Sequence, residues 1–90
     1  MRVVIIYRPN SEHERLVEQF VRDFEHRYRG REEHLELLNI DTRDGSATAT
    51  LYDIMRYPAI LVLQNDGYLQ KSWEGSEFPL MDEVFSYARV

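Results

Sequence analysis

The sequence predicts an α/β domain with the element order β-α-β-α-β-β-α, in which a small mixed sheet carries helices on both faces. Three observations support this. The runs Arg2–Tyr7 (RVVIIY) and Ala59–Gln64 (AILVLQ) are nearly unbroken apolar stretches of strand length, as expected for strands covered on both sides. Leu16, Val17, Phe20, Val21, Phe24 and Tyr28 fall on a single helical stripe. Asn65-Asp66-Gly67 stands between two strand-like runs and is a hairpin signal.

Each element follows from local chemistry. The first strand, Arg2–Tyr7, is broken by Pro9 and Asn10. Ser11-Glu12-His13-Glu14 then has the S-x-x-E spacing of a capping box, so Ser11 is expected to cap the first helix. Glu18–Arg22 and Asp23–Arg27 form i,i+4 pairs opposite the apolar stripe, and Gly30 ends the helix. His34–Ile40 reads as the second strand, and Asp41–Gly45 as a turn. Ser46 is expected to cap a second helix over Ala47–Met55, with Ala47, Leu51, Ile54 and Met55 facing inward. This helix must stop before Pro58, because proline disfavours helical geometry in the residue preceding it. Ala59–Gln64 is the third strand. Tyr68–Glu74 returns as the fourth, with Leu69, Lys71 and Trp73 on one face and Lys71 suited to an edge. Phe78–Ala88 closes the chain as a helix with Leu80, Val84, Phe85 and Ala88 inward.

Ninety residues suffice for one domain, spanning 1–90, and a chain of this size buries only about 60–65% of its unfolded surface. There is no cysteine, which excludes disulfides, thiolate-ligated zinc, iron–sulfur clusters and thiol catalysis. Ten arginines and one lysine face 16 acidic residues, for a net charge of −5. The densest basic stretch, Arg22 to Arg31, is interleaved with Asp23, Glu25, Glu32 and Glu33. No nucleic-acid partner is expected, because a duplex binder needs a continuous basic face. The apolar runs are too short to cross a bilayer or to serve as a signal-peptide core, so no membrane partner and a cytoplasmic location are expected.

Glu12, His13 and Glu14 are adjacent, and neighbouring helical side chains point about 100° apart, so they converge poorly on one ion. They read as charges at a helix start. Glu32, Glu33, His34 and Glu36 offer no third ligand on a shared strand face. No metal and no cofactor is therefore expected. Trp73 reads as partly buried core, with the Lys71 head reaching solvent, and Tyr28, Tyr68 and Tyr87 read as amphipathic surface cover.

From about Val3 to Phe85 the chain resembles the thioredoxin superfamily. The resemblance is carried by Leu38-Asn39-Ile40-Asp41, then Tyr52, Ile54 and Pro58 in a Y-x-I-x-x-x-P pattern. The apolar strand Ala59–Leu63, the turn Asn65–Gly67 and Gly75 complete it. It implies a thioredoxin-like fold with a four-stranded mixed sheet, of the minimal glutaredoxin-like size, in which Pro58 is the family's cis-proline. The family's Cys-x-x-Cys lies between the first strand and first helix, where this chain has Ser11 or Glu12 for the first cysteine and Glu14 or Arg15 for the second. The buried acid and the lysine that assist disulfide exchange are matched by Ile6 and Leu37. The expected domain is therefore redox-inactive, has no catalytic residue and is not an enzyme.

By the same resemblance, a polypeptide runs beside the cis-proline and pairs with the backbone of the preceding residue, here Tyr57. Pro9, Asn10, Ser11 and Glu12 on one side, and Glu74 and Gly75 on the other, would complete a groove around Tyr57 and Pro58. Its acidic rim, Glu12 and Glu74, favours a basic segment. Two other readings remain. Arg8, Arg56 and the N–H groups near Ser11 could hold a carboxylate, as in glutathione-binding relatives, or the domain could self-associate as a homodimer.

Overall fold

The computed structural model describes residues 2–27, 35–76 and 78–88. Strand β1 (Arg2–Tyr7) lies inside a four-stranded sheet of order β2-β1-β3-β4. It runs parallel to β2 (Leu35–Asn39), with Val3 beside Leu35 and Tyr7 beside Asn39. A parallel pair needs a crossover, and helix α1 (Glu14–Arg27) lies between the two strands in the chain. Strand β3 (Ala59–Leu63) is antiparallel to β1, pairing Ala59 with Ile6, and β4 (Leu69–Glu74) is antiparallel to β3. Helix α2 (Arg43–Leu51) connects β2 to β3, and α3 (Met81–Ala88) follows β4.

Strand alternation divides the interior into two layers. Val3, Ile5, Ile60 and Val62 pack with Val17, Phe20 and Phe24 of α1 and Val84 of α3. Val4, Ile6, Ala59, Leu61 and Leu63 pack with Ala49 of α2 and with Ile54. Both faces of β1 and β3 are thus covered, which explains why neither strand carries a polar side chain after Arg2. Phe78 meets Phe20 edge-on, with ring centroids 5.4 Å apart, and helps to seat α3 beside α1.

The second helix departs most from expectation, starting four residues earlier than Ala47. Its cap is Thr42, whose Oγ1 accepts the Gly45 N–H at 3.0 Å, and not Ser46. The Thr42 N–H and hydroxyl both donate to the Asn39 carbonyl, so the helix begins directly against the end of β2. Gly45 makes that approach possible, because a Cβ there would stand 2.0 Å from the Asn39 carbonyl oxygen. Glycine disfavours a helix in isolation, and here close packing outweighs that preference. The far end is a Schellman turn. Asp53 takes the left-handed conformation (φ 58°), the Ile54 N–H reaches the Ala49 carbonyl at 2.8 Å, and the Asp53 N–H reaches Thr50 at 3.2 Å. Of the four side chains expected inward, only Ile54 is buried; Ala47, Leu51 and Met55 are exposed. Leu16 and Leu80 are likewise exposed.

On β4, a register shift sets Lys71 beside Val62 and Leu69 beside Leu63. Leu69 therefore joins the layer under α2, whereas Trp73 joins the opposite layer, so these residues do not share the face expected of them. Trp73 packs edge-on against Tyr87 with centroids 5.7 Å apart. Lys71 is exposed, as expected, and its ammonium also lies 5.7 Å from the Trp73 centroid and 5.8 Å from that of Tyr87. Tyr28, the stop at Gly30, the strand start at His34 and the side chain of Ala88 lie outside the described residues. Among those described, no helix is long and apolar enough to cross a membrane.

Candidate functional site

Because Ile6 pairs with Ala59, the chain leaves β1 after Tyr7 at the same end of the sheet where Pro58 leads into β3. Gly75 is at this end too, its N–H donating to the Pro58 carbonyl at 2.9 Å. The expected groove residues before α1, at the head of β3 and after β4 thus come from three loops at one end of the sheet.

The β1–α1 loop is tied internally. Asn10 is left-handed (φ 63°), and its N–H donates to the Glu14 carboxylate at 3.1 Å. The Arg8 N–H donates to Nε2 of His13 at 3.0 Å. Ser11 is not the side-chain cap expected of it: its hydroxyl donates to the Arg8 carbonyl, and α1 begins three residues later at Glu14. Half of the capping box survives in altered form, since Glu14 reaches back to the N–H of Asn10 instead of Ser11. Pro9 is half-buried, and the Arg8 guanidinium pairs with Asp41 at 3.2 Å. Burial, and then the neighbouring Arg8 charge, hold the His13 pKa below 6.5, with Glu14 opposing them.

Glu12 is exposed. With Ser11, Glu14, Arg15 and Glu18 it lines a shallow concavity to which Tyr57, Pro58 and Gly75 do not contribute. A second concavity, lined by Arg2, Glu36, Asp44 and Thr48 among others, lies between α2 and the edge of the sheet. Among the described residues, no three His, Asp or Glu side chains are grouped to hold a metal ion.

The Tyr57–Pro58 peptide bond is cis and Pro58 is buried. The Tyr57 ring packs against the layer under α2, and its hydroxyl donates to the Ile54 carbonyl at 3.3 Å. The Tyr57 side chain is therefore part of the scaffold, not an open aromatic surface. Its main chain is different. Among the described residues, neither the N–H nor the carbonyl of Tyr57 takes part in a hydrogen bond.

Glu74 also differs from the rim acid expected of it. Its Oε1 accepts the Met55 N–H at 2.8 Å and the Arg56 N–H at 3.2 Å, so the carboxylate organises the segment leading into Tyr57. Gly75 is left-handed (φ 64°) and lies against the Arg56 stem, whose Cβ and Cδ would each be 3.3 Å from an added Cβ. Sequence reasoning missed the Glu74 contacts because their partners are 18 and 19 residues away. It also missed the acceptor role of His13, for which an isolated histidine before a helix gives no signal. No protein-family model matches the chain, and no curated protein matches it.

Proposed function

We propose that this chain is a redox-inactive, thioredoxin-like domain that binds an extended polypeptide segment beside Tyr57. The observation that carries this reading is a separation of roles within one residue: the Tyr57 side chain is fixed to the core, while among the described residues its N–H and carbonyl make no hydrogen bond. A backbone donor and acceptor without partners beside the head of β3 invite β-augmentation, in which main-chain pairing provides affinity and neighbouring side chains provide selectivity. The strand order β2-β1-β3-β4, with β1 parallel to β2 and antiparallel to β3, supports the thioredoxin-like topology, as does Pro58 heading β3. The absence of sulfur nucleophiles supports a binding task over disulfide exchange.

The carboxylate-binding alternative has less support. The Arg8 and Asn10 N–H groups already have acceptors, and the Arg8 guanidinium is engaged by Asp41. With Glu74 turned toward Met55 and Arg56, Glu12 is left as the acid that would favour a basic partner.

The proposal is tested by selecting peptides from a random library on the immobilised domain, then titrating the best binder into isotopically labelled protein. Backbone shift changes centred on Asn10, Tyr57 and Gly75 support it. Changes centred on the outer faces of α1 or α2 would refute it. Light scattering on the free domain separates this reading from a homodimer.

A further inference from the structure

We propose that His13 is a proton-operated latch on the β1–α1 loop, holding the Arg8 backbone when its ring is neutral and releasing it when the ring is protonated. The geometry assigns the tautomer. Nε2 accepts the Arg8 N–H at 3.0 Å, so the single proton of the neutral ring resides on Nδ1. A second proton can be added only at Nε2. The lone pair that receives Arg8 then disappears, and two N–H groups face one another across the same gap.

The two ends of the latch enclose a tight turn. Arg8 and His13 are five residues apart, with left-handed Asn10 between them. The other ties of this loop include the Ser11 hydroxyl on the Arg8 carbonyl, the Asn10 N–H on Glu14, the Glu14 N–H on the Ser11 carbonyl at 3.2 Å and the Arg8 guanidinium on Asp41, none of which involves the imidazole. Protonation therefore removes one specific contact and leaves the loop with a reduced set.

The charges around the ring set the direction of the response. Arg8, whose guanidinium is held by Asp41 from the turn after β2, opposes a second positive charge nearby. Glu14 favours that charge, while its carboxylate also accepts the Asn10 N–H. Burial is the largest influence and it too favours the neutral ring, so His13 protonates below its ordinary value of 6.5. A base whose folded pKa is depressed contributes stability that is complete above its unfolded pKa. That contribution is lost as pH falls from about 6.5 through the lowered value. The latch is closed at neutral pH and opens in mild acid. Because the loop leaves β1 where Pro58 enters β3, opening is expected to weaken polypeptide binding at Tyr57. This last consequence rests on the binding function proposed above, whereas the latch itself is a property of the free domain.

The test uses the free domain and no partner, so its result is independent of the binding reading. Backbone amide and histidine ring spectra are recorded from about pH 8 to about pH 5. The Arg8 amide resonance is expected to move upfield on a curve sharing the His13 ring midpoint, with that midpoint below 6.5. His13→Gln keeps a side-chain acceptor without a titrating proton, and its Arg8 amide should not respond over this range. An Arg8 amide that ignores pH in the native chain would overturn the proposal. So would a His13 midpoint at or above 6.5, or an Arg8 response that persists unchanged in His13→Gln.

Discussion

Gly45 shows how much of this fold can depend on one hydrogen atom in place of a methyl group. An added Cβ would meet the Asn39 carbonyl at 2.0 Å, a backbone atom that cannot rotate aside. Gly45→Ala should therefore cost about 3 kcal/mol, the upper end of ordinary overpacking, although alanine is the better helix former. Urea unfolding of the two proteins measures it, and an unchanged or raised midpoint would contradict the close approach. Ser11 and Thr42 make a paired test of which hydroxyl is a cap. Thr42 accepts from the Gly45 N–H, so Thr42→Ala should lose about 1–2 kcal/mol. Ser11 only donates to the Arg8 carbonyl in an exposed loop, so Ser11→Ala should lose about 0.5 kcal/mol. Glu74 ties two backbone N–H groups, and Glu74→Ala should cost about 1–3 kcal/mol, with Glu74→Gln less because it keeps an acceptor oxygen. Equal losses in both Glu74 variants would show that the charge, not the acceptor oxygen, matters.

Elements were legible where a period or an unbroken apolar run defined them. The buried β1 and β3 and the stripe of α1 follow directly from strand and helix burial patterns, and Val17, Phe20 and Phe24 lie where that stripe puts them. Helix α2 was not legible in the same way. Its nine residues, RDGSATATL, contain a glycine and a single large apolar side chain, and that leucine is exposed. The helix is held by Thr42, by contact with Asn39 and by the Schellman turn at Asp53, and only the first of these has a local sequence signature. The β4 register shift was hidden for a related reason: strict alternation assigns Leu69, Lys71 and Trp73 to one face, and a single bulge moves Leu69 to the other. Lys71 and Trp73, on the regular side of the shift, keep the shared face that alternation assigns them, and this is measurable where β4 meets α3. Lys71 lies over both Trp73 and Tyr87, so Lys71→Met should reduce stability by about 0.5–1 kcal/mol and alter Trp73 fluorescence. An unaffected emission spectrum would contradict the contact.

At the scale of the whole molecule, the α/β class and the mixed four-stranded sheet were readable because two buried strands, a hairpin signal and one strong helix leave few arrangements for so short a chain. The candidate site was readable only in outline. Pro9, Asn10, Ser11, Tyr57, Pro58 and Gly75 come from loops at one end of the sheet, but the roles of Ser11, Tyr57 and Glu74 depend on contacts between loops distant in sequence. A side chain that looks available in one dimension can be committed in three. Tyr57 is the sharpest case, since its aromatic ring belongs to the scaffold, and the proposed binding role falls to its backbone, which makes no hydrogen bond among the described residues. Hydrogen exchange at the Tyr57 amide therefore tests the account most directly. With a library-selected peptide bound, that amide should exchange at least about tenfold more slowly than in the free domain, as its N–H gains an acceptor. Tight peptide binding with the Tyr57 amide exchanging at its free rate would contradict it.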